Sequence, residues 1–275
     1  MECISEIVLD GLTEESAPVL DLSEVGFYRF FSGGLKIDAF ISIRPASDAI
    51  LFCGHSAITP KFRNSLPAFH RHSWAPDIEA SFVTFHDPTL YVYPELLGGW
   101  SQGSVSVHAV PEMYKVVKLI QKSVSKHKRS VFYGSSAGGF WAMMTAALDK
   151  SVCMVEIPQT DMFTCPLATA RELLLEACYK EQGLDPYHFR HRLSVVDWFK
   201  YIESMPKAIY YFQNIKDEAH TEAQLRSFEA DMKALAYKDL SVAFYEREDK
   251  DIGHVVMHKS TSVAALNRLL LGASL

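Results

Sequence analysis

The sequence has no apolar run approaching the 18 or so residues that a membrane-crossing helix needs, and its first stretch, MECISEIVLDGLTEES, is acidic, with no basic segment ahead of a hydrophobic one. A cytoplasmic protein without a membrane span is expected. Positive charge is not in excess either: 27 Lys and Arg stand against 33 Asp and Glu, a formal net charge of −6, so no net field draws nucleic acid. Cysteines are few. Cys3, Cys53, Cys153, Cys165 and Cys178 are odd in number and form no C-x-x-C pair. Zinc and redox patterns of short spacing are thereby removed, which leaves reduced thiols, mostly in a core, and no expected metal. No internal repeat, low-complexity tract or linker divides the chain, so one domain over 1–275 is expected.

What is present is a large apolar fraction, 48% of 275 residues, enough to bury a substantial core. Residues 25–31 (VGFYRFF) and 35–43 (LKIDAFISI) flank Ser32-Gly33-Gly34 and read as a β-hairpin. The runs 49–53 (AILFC) and 81–85 (SFVTF) read as buried strands, each stopped by turn residues. From Pro111, apolar residues at 113, 116, 117, 120 and 124 have helical spacing, and strand 130–133 follows. Further apolar runs at 152–157, 208–212 and 241–245 alternate with helical stretches near 168–181, 188–202, 219–237 and 261–271. The predicted fold is α/β: a mostly parallel twisted sheet with an antiparallel N-terminal hairpin and helices on both faces. The segment 160–202 is the expected insertion or small lid.

Between strand 130–133 and the helical stretch 137–148 lies Gly134-Ser135-Ser136-Ala137-Gly138. A serine hydroxyl is a poor nucleophile unless it is exposed on a turn, met by a base and placed beside donors for an oxyanion. Glycines two residues to either side permit the close backbone approach that such a turn needs, and they select Ser136, since Tyr133 stands two before Ser135. An ordinary Gly/Ser turn opening a helix is the competing reading.

Turns of this type draw their acid and histidine from loops after later strands. Asp217 follows strand 208–212 within Gln213-Asn214-Ile215-Lys216-Asp217, and His254 follows strand 241–245 ahead of the last helix. Asp217 could equally cap the helix that starts near 219, and His254 could be a polar loop residue. His220, three residues after Asp217, is a rival imidazole and is kept as a substrate-contact candidate. In the expected chemistry Ser136 attacks an acyl carbon, His254 takes its proton, and Asp217 holds the imidazole tautomer. The oxyanion would receive the backbone N–H of Ala137 and that of His55, in the loop after strand 49–53.

A basic and aromatic cluster follows that loop: Lys61, Phe62, Arg63, Phe69, His70, Arg71, His72 and Trp74. Arg63 and Arg71 are candidate contacts to an anionic acceptor, set against a solvated loop with a few core aromatics. Asp87-Pro88-Thr89 reads as a turn, and Trp100 as a loop tryptophan or a sugar-stacking face.

With these residues in hand, the chain resembles the α/β-hydrolase superfamily, through GSSAGG at 134–139, Asp217 and GH at 253–254. The resemblance implies that fold and a serine-dependent enzyme, first of all a carboxylic-ester hydrolase, which needs no cofactor. More narrowly, ILFCGH (50–55), LPAFHRHSW (66–74), FHDPTL (85–90), QNIKDEAH (213–220) and IGHV (252–255) are similar to bacterial hydrolase-like proteins associated with surface and capsular polysaccharide synthesis. Some of those are O-acetyltransferases. This implies a small-molecule ester or saccharide substrate, with acetyl-CoA as co-substrate if the acyl group is transferred to sugar. The chain departs from many lipases and esterases in having no HGGG-type loop after strand 49–53. That departure leaves open a catalytically inactive binding or assembly module on the same fold.

Overall fold

In a computed structural model, residues 1–13, 15–250 and 253–275 are described; Glu14, Asp251 and Ile252, of which Ile252 is the first residue of the IGHV stretch, lie outside them. The strands are β1 (Cys3–Val8), β2 (Gly26–Ser32), β3 (Leu35–Ser42), β4 (Ala49–Cys53), β5 (Ser81–Phe85), β6 (Arg129–Ser135), β7 (Val152–Glu156), β8 (Ala208–Asn214) and β9 (Leu240–Tyr245). Among the described residues they form one nine-stranded sheet in the order β1-β2-β3-β5-β4-β6-β7-β8-β9. β2 and β3 pair as the expected antiparallel hairpin, with Arg29 Nε donating to Asp38 Oδ1 at 2.8 Å across it. From β5 through β4 to β9 every pairing is parallel.

The helices are α1 (Thr89–Val92), α2 (Ala109–Ser123), α3 (Ala137–Asp149), α4 (Ala168–Cys178), α5 (Arg190–Leu193), α6 (Val195–Ile202), α7 (Glu218–His220), α8 (Ser227–Ala234) and α9 (Lys259–Leu270). Alternate residues of the central strands feed two separate cores. Ile50, Phe52, Phe132, Cys153 and Val155 pack with Val117, Trp141, Trp198 and Phe228 from α2, α3, α6 and α8. Leu51, Cys53, Val131, Tyr133 and Met154 pack with Trp74 and with Leu266 and Leu269 from α9. A strand covered on both faces reads as an unbroken apolar run, which is why AILFC and SFVTF were legible as strands.

β4 lies between β5 and β6, so the chain leaves β4 in one direction to β5 and later crosses back to β6. Ligand crevices in open α/β sheets form at such reversals, outside the carboxyl ends of the strands. The Gly54-His55 loop after β4 and the turn after β6 meet there.

Three features depart from the sequence expectations. β1 pairs parallel to β2 at the sheet edge, where its largely exposed residues carry no period-two pattern. The stretch 188–202 is broken at Ser194, which is extended (φ −137°, ψ 129°) and caps α6 by accepting the Asp197 N–H. The stretch 219–237 is π-helical over 221–226 between α7 and α8. All five cysteines are free, and all but Cys3 are buried.

Candidate active site

Ser136 stands between β6 and α3 at φ 53°, ψ −124°. For a residue with a Cβ this backbone costs on the order of 1–3 kcal/mol, and the surroundings must hold it. They do so by contact. A Cβ on Gly134 would lie 2.0 Å from the Gly138 carbonyl oxygen, and one on Gly138 would lie 2.1 Å from that of His55. Glycine at both positions lets the turn close on itself and lets the His55 loop press against it. Ala137, opening α3, has an N–H without an intrahelical partner, and the His55 backbone lies across Gly138 from it.

The Ser136 Oγ is 3.0 Å from His254 Nε2, and His254 Nδ1 is 2.7 Å from Asp217 Oδ2. Asp217 lies on the loop after β8 and His254 on the loop after β9. Close backbone packing joins the two loops, since a Cβ on Gly253 would stand 2.7 Å from the Asp217 Cα. The carbonyl of Val255 accepts from Tyr245 Oη at 2.7 Å, which steadies the histidine loop from its far side. Asp217 also accepts the His220 N–H at 3.4 Å, so one carboxylate both caps α7 and faces the His254 imidazole.

His220 is drawn in as well. Its Nδ1 is 2.9 Å from Asp217 Oδ1, and its ring stacks on that of His254 with centroids 4.1 Å apart. Burial alone would raise the Asp217 carboxyl, but the hydrogen bonds from His220 and His254 outweigh it and hold the group well below the usual carboxylate range. The Asp217 carboxylate is therefore charged between two imidazoles. Asp217, His220 and His254 offer ligand atoms within 4.8 Å of one another, the three-residue grouping by which a metal could be held among the described residues. Both Nδ1 atoms there already face carboxylate oxygens.

The His55 imidazole is engaged elsewhere, its Nε2 lying 2.7 Å from Ser101 Oγ and its Nδ1 3.4 Å from Asp87 Oδ2. Burial lowers its pKa, partly offset by Asp87, and so favours the neutral ring. Asp87 accepts the N–H groups of Thr89 and Gly99 at 3.0 and 2.8 Å, so the Asp-Pro turn is a structural anchor for the loop that carries Trp100.

Of the basic cluster, Arg71 reaches the turn. Its Nη2 donates to Ser135 Oγ at 2.6 Å, and its guanidinium lies over the rings of Trp74 and Tyr133. His70 accepts the Ser56 N–H on Nδ1 at 3.2 Å, pinning the residue after His55. Arg63 is exposed and donates to the Glu95 carbonyl at 2.6 Å; no hydrogen bond or ion pair joins it to Ser136, Asp217 or His254 among the described residues.

Gln159 was missed in the sequence. Fully buried just after β7, it brings Nε2 to 2.9 Å from Ser136 Oγ, and its Oε1 accepts from Trp100 Nε1 at 3.1 Å. The signal was its place: a polar residue just past the end of the strand beside β6. The loop that carries Trp100 is held in turn by Arg192, which donates to the carbonyls of Gln102, Ser104 and Val105. The segment 160–202 thus reaches the Ser136 turn through the Trp100 loop.

No protein-family model matches the sequence, and no curated protein matches it either. Solved structures do. The capsule O-acetyltransferase of Neisseria meningitidis serogroup A is similar with a TM-score of 0.64 at 11% identity, over 87% of this chain and 96% of that one. That enzyme has also been seen, as a mutant, in complex with CoA. An inhibited esterase B from Lactobacillus rhamnosis gives 0.59 at 10% identity, over 94% and 90%. An S-formylglutathione hydrolase from Agrobacterium tumefaciens gives 0.54 at 14% identity, over 89% and 90%. Together with the strand order and the turn at Ser136, these likenesses identify the architecture of this chain as the α/β-hydrolase fold.

Proposed function

We propose that this protein is a serine-dependent acyl-transfer enzyme, in the first place a carboxylic-ester hydrolase, with Ser136 as nucleophile, His254 as base and Asp217 as the residue that orients it. The observation that carries this is the continuous line from Ser136 Oγ to His254 Nε2 at 3.0 Å and from His254 Nδ1 to Asp217 Oδ2 at 2.7 Å. Ser136 Oγ attacks the acyl carbon as its proton passes to His254 Nε2, and the carbonyl π pair moves onto oxygen. The backbone N–H groups of Ala137 and His55 receive that oxyanion. Collapse expels the alcohol, which takes the proton from His254, and leaves an acyl-Ser136 ester. Water, deprotonated by His254, then releases the acid. No cofactor is required.

A second reading has support of its own in the likeness to a capsule O-acetyltransferase. Acetyl-CoA would acylate Ser136, and a saccharide hydroxyl would replace water in the second half. Arg71, whose guanidinium meets no carboxylate within 4.0 Å among the described residues, is the better placed contact to an anionic acceptor, and Arg63 a peripheral one. An inactive binding module is the weaker reading, since a serine and histidine within hydrogen-bond reach have no purpose in it.

Fluorophosphonate labelling followed by intact-mass measurement tests the nucleophile: one adduct on wild type and none on Ser136→Ala is expected, and equal labelling of both would overturn the assignment. Hydrolysis and transfer separate when acetyl-CoA is supplied with and without oligosaccharides; thiol release that depends on the saccharide marks transfer.

A further inference from the structure

We propose that Gln159 is a further catalytic residue, a side-chain N–H donor to Ser136 Oγ and to the oxyanion that forms beside it, and that Trp100 and His220 orient it. The inference rests on the serine-nucleophile reading given above.

The carboxamide of Gln159 is wholly buried and faces Ser136 Oγ with both ends, Nε2 at 2.9 Å and Oε1 at 3.1 Å. Trp100 decides which end is which. An indole N–H can only donate, so the atom 3.1 Å from Trp100 Nε1 must be the amide oxygen. The nitrogen end then carries two hydrogens and meets two acceptors. One is Ser136 Oγ; the other is His220 Nε2 at 3.4 Å. His220 gives its Nδ1 proton to Asp217 Oδ1, which leaves Nε2 with a lone pair to accept. His254 Nε2 is 3.5 Å from the same amide nitrogen, but its lone pair is already directed at the Ser136 hydroxyl. With the Ser136 hydroxyl proton given to His254 Nε2 rather than to Gln159 Oε1, donors and acceptors match one to one.

A donor in this position acts where charge develops. As Oγ loses its proton to His254 and bonds the acyl carbon, negative charge builds first near Oγ and then on the carbonyl oxygen attached to that same carbon. When the tetrahedral species of the second half collapses, Oγ is the leaving group and recovers its proton from His254. The Gln159 N–H borders Oγ in each half, and in this proposal the carbonyl oxygen on the adjoining carbon comes within its reach. Buried and held by two neighbours, it needs no reorganisation at the moment of reaction, the condition under which a fixed dipole contributes most.

The probes are p-nitrophenyl acetate and a fluorophosphonate. Gln159→Met and Gln159→Glu, both close in volume and lacking the N–H, are expected to slow acylation and labelling of Ser136 by about 10²-fold, in kcat with KM near wild type. Trp100→Phe, which loses only the orienting N–H and some ring area, is expected to lower kcat by about tenfold. A folded Gln159→Met that is labelled at the wild-type rate, or a loss confined to KM, overturns the proposal. Should circular dichroism find both Gln159 variants unfolded, Trp100→Phe decides, and an unchanged kcat there overturns it. A wild type that takes no label at Ser136 removes the serine reading and this inference together; a labelled wild type with unaffected variants removes this inference alone.

Discussion

His220 and His254 stack with their ring centroids 4.1 Å apart and their planes 23° apart, and each directs Nδ1 at a different oxygen of Asp217. One carboxylate thus fixes two imidazole tautomers. Only His254 reaches Ser136 Oγ, at 3.0 Å; His220 reaches the Gln159 amide.

This division of labour predicts unequal losses. Asp217→Asn leaves the shape intact but keeps a single acceptor oxygen, so one of the two rings meets an amide N–H and loses its tautomer, and neither ring keeps a charged partner. A fall in kcat of about 10⁴-fold toward p-nitrophenyl acetate is expected, with little change in KM. His220→Asn should cost distinctly less than either Asp217→Asn or His254→Ala. A His220→Asn loss equal to that of His254→Ala would show that the roles of the two rings had been misassigned.

Stability should rise with pH across the weakly acidic range. His70 accepts the Ser56 N–H and His86 the Ala68 N–H, each on Nδ1, so protonating either ring breaks a backbone hydrogen bond. Burial, reinforced by the Arg71 charge, lowers His70 to about 4, and burial likewise lowers His86. The unfolded chain takes up protons on these rings near pH 6.5, while the native chain resists until about pH 4. Between those limits the unfolded state binds more protons, and the unfolding free energy climbs by up to about 1.4 kcal/mol per pH unit for each ring. Urea titrations from pH 4 to 8 should reveal this slope, flattening above pH 6.5, and His70→Gln should reduce it.

Gly138→Ala places a methyl group where the His55 carbonyl oxygen stands, 2.1 Å from the new Cβ. The His55 loop must retreat from the turn. A loss of about 1–3 kcal/mol in stability, read from the urea midpoint, is expected together with a large fall in the labelling rate of Ser136. A variant that labels at the wild-type rate would mean that the His55 N–H is not used.

Glu156, wholly buried at the end of β7, accepts from Tyr133 Oη at 2.8 Å, Ser262 Oγ at 2.7 Å and the Met257 N–H at 2.9 Å. Met257 is three residues past His254, so this carboxylate ties the His254 loop to β7, the strand beside the Ser136 turn. Glu156→Gln turns an acceptor into a donor facing donors and should cost about 1–3 kcal/mol. The accompanying fall in kcat should exceed that of Ser262→Ala, which removes a single donor.

Much of this molecule could be read from residue order. Strands covered on both faces announce themselves as short apolar runs, and AILFC, SFVTF and VCMVE became β4, β5 and β7. The turn at Ser136 is a local matter of glycine spacing between a strand and a helix. Chain order then allotted an acid and a histidine to the loops after two later strands, and the folded chain joins Asp217 and His254 to Ser136 there. Other features depend on contacts between residues distant in sequence, which no local pattern records. The half-exposed β1 had no periodicity to betray it, and Ser194 breaks a stretch that reads as one helix. Arg63 and Arg71 look alike in sequence, yet one ends on the Glu95 carbonyl and the other at Ser135. Gln159 stands 23 positions after Ser136 and has no motif around it. Its place was decided by parallel pairing of β6 with β7, which sets the ends of neighbouring strands side by side, and by a tryptophan N–H from a loop 59 positions away that orients its amide.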